Sequence, residues 1–237
     1  MPSQENAENM ISINRWCSML AFEGTDAINF LNNLIISELQ DFALDCYYFS
    51  ALCNPKGRVL CSFWLKRCEN GDVFMICPKN MREQLQQFFT MRRFRLKISI
   101  AECAASLSIN QHSNKISDTG NEQQVAAENS DNAAFLAYLF SQNIAWIDAT
   151  NTEKFIPQHL NYDKIEHAMS FSKGCYPGQE IIARIKYLGT IKKRLSLKKA
   201  ATLKQLQDSI ADDEQVSPIV EHENSWQVQV VSTLKGN

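Results

Sequence analysis

The segment Lys173-Gly174-Cys175-Tyr176-Pro177-Gly178-Gln179-Glu180 places one cysteine between two glycines, beside a lysine and ahead of a helical pattern. Glycine readily adopts a positive φ and lets the backbone approach a neighbour, so we expect this at both glycines. Pro177 fixes a turn before apolar residues at helical spacing. Lys173 and the helix N-terminus would both favour a thiolate at Cys175. The segment predicts a functional, exposed thiol; the alternative is a small apolar residue in a glycine-rich turn.

The remaining cysteines indicate packing rather than chemistry. They lie in or beside apolar, strand-like runs, where free cysteine packs as a small hydrophobic residue: Cys17, Cys46, Cys53, Cys61, Cys68, Cys77 and Cys103. The chain has no Cys-x-x-Cys pair, so a metal site held by this chain alone is not expected. With 237 residues, 45% of them hydrophobic, the chain does not need disulfides for a core, and we expect reduced thiols. His159 is interpreted as structural or surface-exposed.

A longer segment, Phe171-Ser172-Lys173-Gly174-Cys175-Tyr176-Pro177-Gly178-Gln179-Glu180-Ile181-Ile182-Ala183-Arg184, resembles the signature of the YgfZ family, folate-binding relatives of the glycine-cleavage T-protein. Three further blocks, at 22–27, 53–59 and 155–163, fall in the order that this family shows. The resemblance covers residues 15–100 and 135–195. It implies an α+β fold of mixed, mostly antiparallel sheets with helices.

The same resemblance implies a division of the chain. Residues 1–192 would form the folate-binding region, trimmed around a polar loop at 111–132, and residues 193–237 a small β-barrel-like segment. Local patterns agree with mixed α and β structure. They predict helices over 26–40 and 133–140 and another after Pro78, and strands over 46–53, 59–66, 73–77, 94–100, 144–147 and 194–199 and from Trp226 onward.

Function is also implied by the family. YgfZ proteins bind folate and support iron–sulfur enzymes, including enzymes that modify tRNA, and their cysteine motif is required. The resemblance therefore makes Cys175 the functional thiol, with Lys173 beside it. The other motif residues are Gly174, Tyr176, Gly178, Gln179, Glu180 and Arg184. Aromatic residues near the positions of Trp16 and Phe135 line the folate cavity in the family; core packing is the alternative for each.

Positive charge is concentrated in two segments, although the formal net charge of the chain is −2. Residues 173–199 carry eight basic residues and one acidic residue, and residues 79–97 carry six and one. Such segments attract polyanions, although many are only solvated surface. The partners expected are folate polyglutamates and iron–sulfur proteins such as tRNA-modifying enzymes, with direct tRNA binding left open.

Two classes of function follow. T-protein relies on a carboxylate after a glycine-rich turn, and here Leu60 and Cys61 stand about where it would lie. A non-enzymatic accessory factor that binds tetrahydrofolate or a derivative is therefore favoured; the alternative is a folate-dependent one-carbon or thiol transferase that uses Cys175 as nucleophile. Residues 1–9 lack the layout of a secretory signal, and no stretch approaches the roughly 20 apolar residues of a membrane helix. A cytoplasmic location is expected.

Overall fold

Three antiparallel sheets form the framework of the computed structural model, which describes residues 10–119 and 132–234. The strands are β1 (Met10–Ser12), β2 (Cys17–Glu23), β3 (Tyr47–Cys53), β4 (Val59–Arg67), β5 (Val73–Pro78), β6 (Ser99–Cys103), β7 (Ser106–Asn110), β8 (Ile116–Thr119), β9 (Lys193–Ala200), β10 (Glu214–Gln215), β11 (Val220–His222) and β12 (Ser225–Thr233). The helices are α1 (Ala27–Asn32), α2 (Arg82–Arg92), α3 (Asn132–Ser141), α4 (Gln179–Leu188) and α5 (Leu203–Ser209). The predicted mixed fold with antiparallel sheets is confirmed.

The central sheet has the strand order β3-β4-β5-β2-β6 and is covered on both faces. Side chains alternate along a strand, so Leu20 and Phe22 of β2 point to one face and Cys17 and Met19 to the other. The first pair packs in a cluster with residues of α1 and α2. The second pair joins a larger cluster that includes β1, β7, α3 and Tyr176 of the motif. This larger cluster connects the candidate site to the core.

A small sheet closes the C-terminal part of the chain. It has the order β10-β12-β11, and β9 pairs with β12 over its whole length. Leu206, Val228 and Val230 form a local cluster, whereas Leu195 and Val231 face the larger core. The strands predicted at 194–199 and from Trp226 onward are confirmed.

Three predicted elements differ from the structure. The helix expected over 26–40 ends at Asn32, because Ile35 bridges to Leu52 and the Ile36 amide donates to the Ala51 carbonyl. Pairing with β3 replaces further helical turns in this segment. The strand expected over 94–100 begins only at Ser99. The strand expected over 144–147 is a connection outside the three sheets, although the Ile147 carbonyl accepts a hydrogen bond from the Ser62 amide of β4 at 3.1 Å.

The polar loop predicted at 111–132 contains β8 at its start and the first residue of α3 at its end. Residues 120–131 of that prediction lie outside the described residues, as do residues 1–9, for which the absence of a secretory signal was expected. In the described ranges, no helix combines the length and the apolar character that a membrane span requires.

Candidate functional site

The motif loop is fitted against the turn at residues 54–57. Gly178 is the N-cap of α4 and has a φ of 83°. A Cβ at this position would lie 2.5 Å from the Asn54 carbonyl oxygen and 2.7 Å from the Gly57 Cα. The expected positive φ is thus found at Gly178, and here the backbone contact leaves no room for a side chain. Gly174 does not have a positive φ, so that expectation is wrong there.

Cys175 lies four residues before the first residue of α4, and its side chain is exposed. Its thiol has no hydrogen-bond partner among the described residues. The interpretation of the other cysteines as packed residues is wrong for Cys46, which is exposed, and incomplete for Cys68 and Cys103, which are half-buried. Exposure therefore does not distinguish Cys175 from Cys46.

Four cysteines are fully enclosed in the core. Burial raises the pKa of the thiols of Cys17, Cys53 and Cys61 well above the usual value, and it raises the pKa of Cys77 to about 12. Desolvation disfavours a thiolate at each of these positions. The core cysteines are therefore unsuited to thiolate chemistry, as their sequence context predicted.

Lys173 connects the motif loop to the end of α1. Its ammonium donates hydrogen bonds to the backbone carbonyls of Asn32 (2.5 Å), Ile35 (2.8 Å) and Ser37 (2.7 Å). An ammonium has three N–H donors, so these carbonyls use all of them. Burial lowers the pKa of Lys173 to about 8. Lys173 therefore acts as a structural clamp that ties the motif loop to the segment after α1, and its role beside the Cys175 thiol stays a prediction.

The other motif side chains divide into internal and surface groups. The Tyr176 ring is buried, and burial raises the pKa of its hydroxyl. The Gln179 side-chain amide donates to the Lys173 carbonyl at 3.3 Å and so closes the loop on itself. Glu180 and Arg184 are exposed, and neither forms an ion pair within the described ranges. Tyr176 and Gln179 thus shape the loop, whereas Glu180 and Arg184 face solvent.

A separate cavity of about 410 Å³ lies between the start of β2, α3 and the C-terminal sheet. Trp16 and Phe135 both line it, and their rings stack with centroids 5.1 Å apart and planes 16° apart. Trp146 meets Phe135 edge to face at 6.2 Å. Phe135 is buried and stacks on the half-buried Trp16 ring, and the Arg15 guanidinium lies over the same ring, 5.9 Å from its centre. The cofactor-binding role of the two residues remains a prediction.

Polar groups of the same cavity were missed in the sequence. The Asp148 carboxylate accepts hydrogen bonds from the Thr150 amide and hydroxyl at 2.8 and 2.7 Å and from the Asn80 side chain at 3.2 Å. The cationic side chains of Arg15 and Lys79 also line the cavity. In the sequence, only the pattern Asp148-x-Thr150, which favours a local turn, could have indicated that this segment is structured around Asp148.

The position of Asp148 corrects the argument about a missing carboxylate. Cys61 is fully buried on the other side of the central sheet, and Leu60 packs against the same cluster. Neither residue lines the cavity. The cavity does contain a carboxylate, supplied by the segment before the 155–163 block rather than by the segment after Gly57. The lack of an acidic residue in 57–62 therefore does not exclude transferase chemistry.

The comparisons with known proteins agree with these features. No protein-family model matches the chain. It is 26% identical over 242 residues to the tRNA-modifying protein YgfZ of Blochmanniella pennsylvanica, covering 82% of this chain and 72% of that protein. The tRNA-modifying protein YgfZ of Yersinia pseudotuberculosis is 24% identical over 230 residues, covering 78% and 69%. The chain is thus similar in sequence to the YgfZ proteins.

A solved structure supports the fold independently. Aminomethyltransferase T of the glycine cleavage system from Bartonella henselae superimposes with a TM-score of 0.63, covering 94% of this chain and 78% of that one. The sequence identity is 11%, so this likeness concerns the fold alone. The resemblance to YgfZ and to the T-protein fold, expected from the sequence, is confirmed.

Three of the four blocks that carry the YgfZ resemblance contact one another. The Val59 amide donates to the Phe155 carbonyl at 2.8 Å, which joins the 53–59 and 155–163 blocks. Gln158 of the latter block donates its side-chain amide to the Ile182 carbonyl of α4 at 2.7 Å. Gly178 packs against the 54–57 turn. Segments that are far apart in the sequence thus meet beneath the motif loop and α4, whereas none of the residues 173–199 lines the cavity of Trp16.

Proposed function

We propose that this chain is a folate-binding accessory factor that supports iron–sulfur enzymes and thereby tRNA modification. The observation that carries the proposal is the 410 Å³ cavity in which Trp16 is backed by Phe135. Its volume is within the range of small-molecule sites, and its lining combines aromatic walls with a few polar groups. The tRNA-modifying relatives support the rest. A factor of this kind would act in the cytoplasm.

The lining fits the chemistry of a reduced folate. A pterin is flat and would stack on Trp16. Its ring N–H groups need an acceptor, which Asp148 supplies, and its glutamate carboxylates need cations, which Arg15 and Lys79 supply. The polyglutamate tail of a folate would extend past these two cations. Lys79, which lines the cavity, is also the first residue of the basic segment 79–97. When bound, tetrahydrofolate supplies a carrier for one-carbon units.

Cys175 would supply the thiol on a second surface, where iron–sulfur proteins such as tRNA-modifying enzymes could reach it. Exposure of the side chain and the clamped loop around it support this role. Because Cys175 does not line the cavity, we assign folate binding and thiol chemistry to two different places on the protein.

The alternative is a folate-dependent one-carbon or thiol transferase, and Asp148 is the observation that favours it. A carboxylate in a folate cavity is suited to proton transfer. Turnover of a folate one-carbon donor by the purified protein would support this alternative, whereas binding without turnover supports the accessory factor.

Replacement of Trp16 by alanine is expected to weaken binding of tetrahydrofolate by about 10- to 100-fold, because the ligand loses its stacking surface. Isothermal titration calorimetry measures this change. The matched control is Tyr187→Ala, which removes an aromatic ring that is 65% exposed and lies outside the cavity. Equal affinity of the wild-type protein and Trp16→Ala would place the folate elsewhere, and lack of binding by the wild-type protein would remove the proposal.

A further inference from the structure

The corner between α2 and β6 exposes apolar and basic side chains together. Its sequence is Met91-Arg92-Arg93-Phe94-Arg95-Leu96-Lys97, with four basic residues and no acidic one. The exposed fractions are 62% for Met91, 88% for Phe94 and 42% for Leu96. Scattered apolar residues on a surface are ordinary, but three within six positions form a patch that indicates an interaction site.

Phe94 is held with its ring in solvent by an unfavourable backbone conformation. Its φ is 45°, a region that costs most side chains about 1–2 kcal/mol and that a bulky residue rarely adopts. Hydrogen bonds fix the turn: the Leu96 amide donates to the Arg93 carbonyl at 2.8 Å, and the Lys97 amide donates to Asp26 at 2.9 Å. Strain of this kind accompanies functional positions. The ring is therefore presented on a fixed turn.

The cations of the corner fall into two pairs. The Arg92 guanidinium lies 3.5 Å from the centre of the Phe88 ring, and Arg93 donates to the Ile98 carbonyl, so both have partners within the protein. Arg95 and Lys97 are exposed, and their side chains make no ion pair or hydrogen bond in the described part of the chain. Two unpaired cations thus flank an exposed aromatic ring.

We infer that this corner binds single-stranded RNA, with a base stacked on Phe94 and phosphates contacted by Arg95 and Lys97. The inference rests on the proposed function, which places the protein among factors of tRNA modification. Single-stranded nucleic acids are bound by aromatic platforms beside cations that follow the backbone. An anionic membrane would be attracted by the same four basic residues, and binding to anionic vesicles is therefore one arm of the test.

The RNA corner is separable from the folate cavity. Lys79 and Asn80 line the cavity just before α2, and the corner begins with the last two residues of that helix. A helix of 11 residues is about 16 Å long. Changes at the corner are therefore expected to leave folate binding intact.

The test measures fluorescence anisotropy of a labelled single-stranded RNA and of an intact tRNA with the full chain. Phe94→Asn removes the ring while keeping a residue that tolerates a positive φ, so the turn is preserved. Its dissociation constant for the single-stranded RNA is expected to rise about 10-fold. Tetrahydrofolate binding by this variant, measured by calorimetry, is expected to be unchanged, which separates failure here from failure of the folate proposal.

The charges are tested by the salt dependence of binding. In Arg95→Gln/Lys97→Gln, the slope of log Kd against log salt is expected to decrease by about 1.4, because two phosphate contacts are lost. The control Lys115→Gln/Lys204→Gln removes two exposed lysines elsewhere and should keep the wild-type slope. Unchanged RNA affinity in Phe94→Asn, or no RNA binding by the wild-type protein, overturns the inference. Binding to phosphatidylserine vesicles that Phe94→Asn abolishes, with RNA affinity unaffected, also overturns it in favour of a membrane.

Discussion

Replacement of Cys175 by serine is expected to reduce iron–sulfur-dependent tRNA modification to the level found without the protein. The assay is complementation of a bacterial strain that lacks its own YgfZ protein, with modified nucleosides measured by mass spectrometry. A hydroxyl is far less acidic and less nucleophilic than a thiol, so serine cannot replace a thiolate. Because the side chain is exposed and without a hydrogen-bond partner in the described residues, stability should change by less than about 0.5 kcal/mol.

The matched control is Cys46→Ser, since Cys46 is also an exposed cysteine. It should support tRNA modification as well as the wild-type protein does. Loss of modification in both variants would indicate a general effect of removing exposed thiols. Full support by Cys175→Ser would reject a thiol mechanism for this protein.

Replacement of Gly178 by alanine is expected to lower the free energy of unfolding by about 3 kcal/mol or more. One part of this cost is the positive φ, about 1–2 kcal/mol for a residue with a Cβ. The other part is the collision of the Cβ with backbone atoms of Asn54 and Gly57, which cannot move as a flexible side chain could. Chemical denaturation followed by circular dichroism measures the difference.

Gly71 provides the control for the conformational part. Its φ of 89° is similar to that of Gly178, but a Cβ at Gly71 would have no atom within 4 Å. Gly71→Ala is therefore expected to cost about 1–2 kcal/mol. If both variants lost the same stability, the close contact between the motif loop and the 54–57 turn would be of no energetic importance, contrary to the geometry.

Local sequence patterns predicted those parts of the site that depend on local physics. The turn at Pro177, the positive φ of Gly178 and the start of α4 follow from conformational preferences of single residues. The C-terminal strands follow from alternation of apolar residues, and Trp16 and Phe135 were connected to each other only through the family resemblance. Their stacking is a tertiary fact that no local pattern contains.

The parts that were missed depend on contacts between distant segments. The Lys173 ammonium reaches Asn32 across 141 positions of the chain, so its clamp could not be distinguished from a charge beside Cys175. Asp148 was missed because the apolar run 144–147 before it was predicted as a short strand, whereas the Ile147 amide donates to the Ser62 hydroxyl at 2.8 Å. In both cases hydrogen bonds between distant segments determine the local arrangement: those of the Lys173 side chain in the motif loop and that of the Ile147 amide before Asp148.

The most direct test of the account joins the folate cavity to the cellular role. Trp16→Ala, introduced into the strain that lacks its own YgfZ protein, leaves Cys175 and its loop unchanged while removing the stacking surface. The account predicts that the level of iron–sulfur-dependent tRNA modification, measured by nucleoside mass spectrometry at matched protein abundance, falls well below that of the wild-type protein and of Tyr187→Ala. A wild-type level of modification in Trp16→Ala, with folate binding lost, would contradict it.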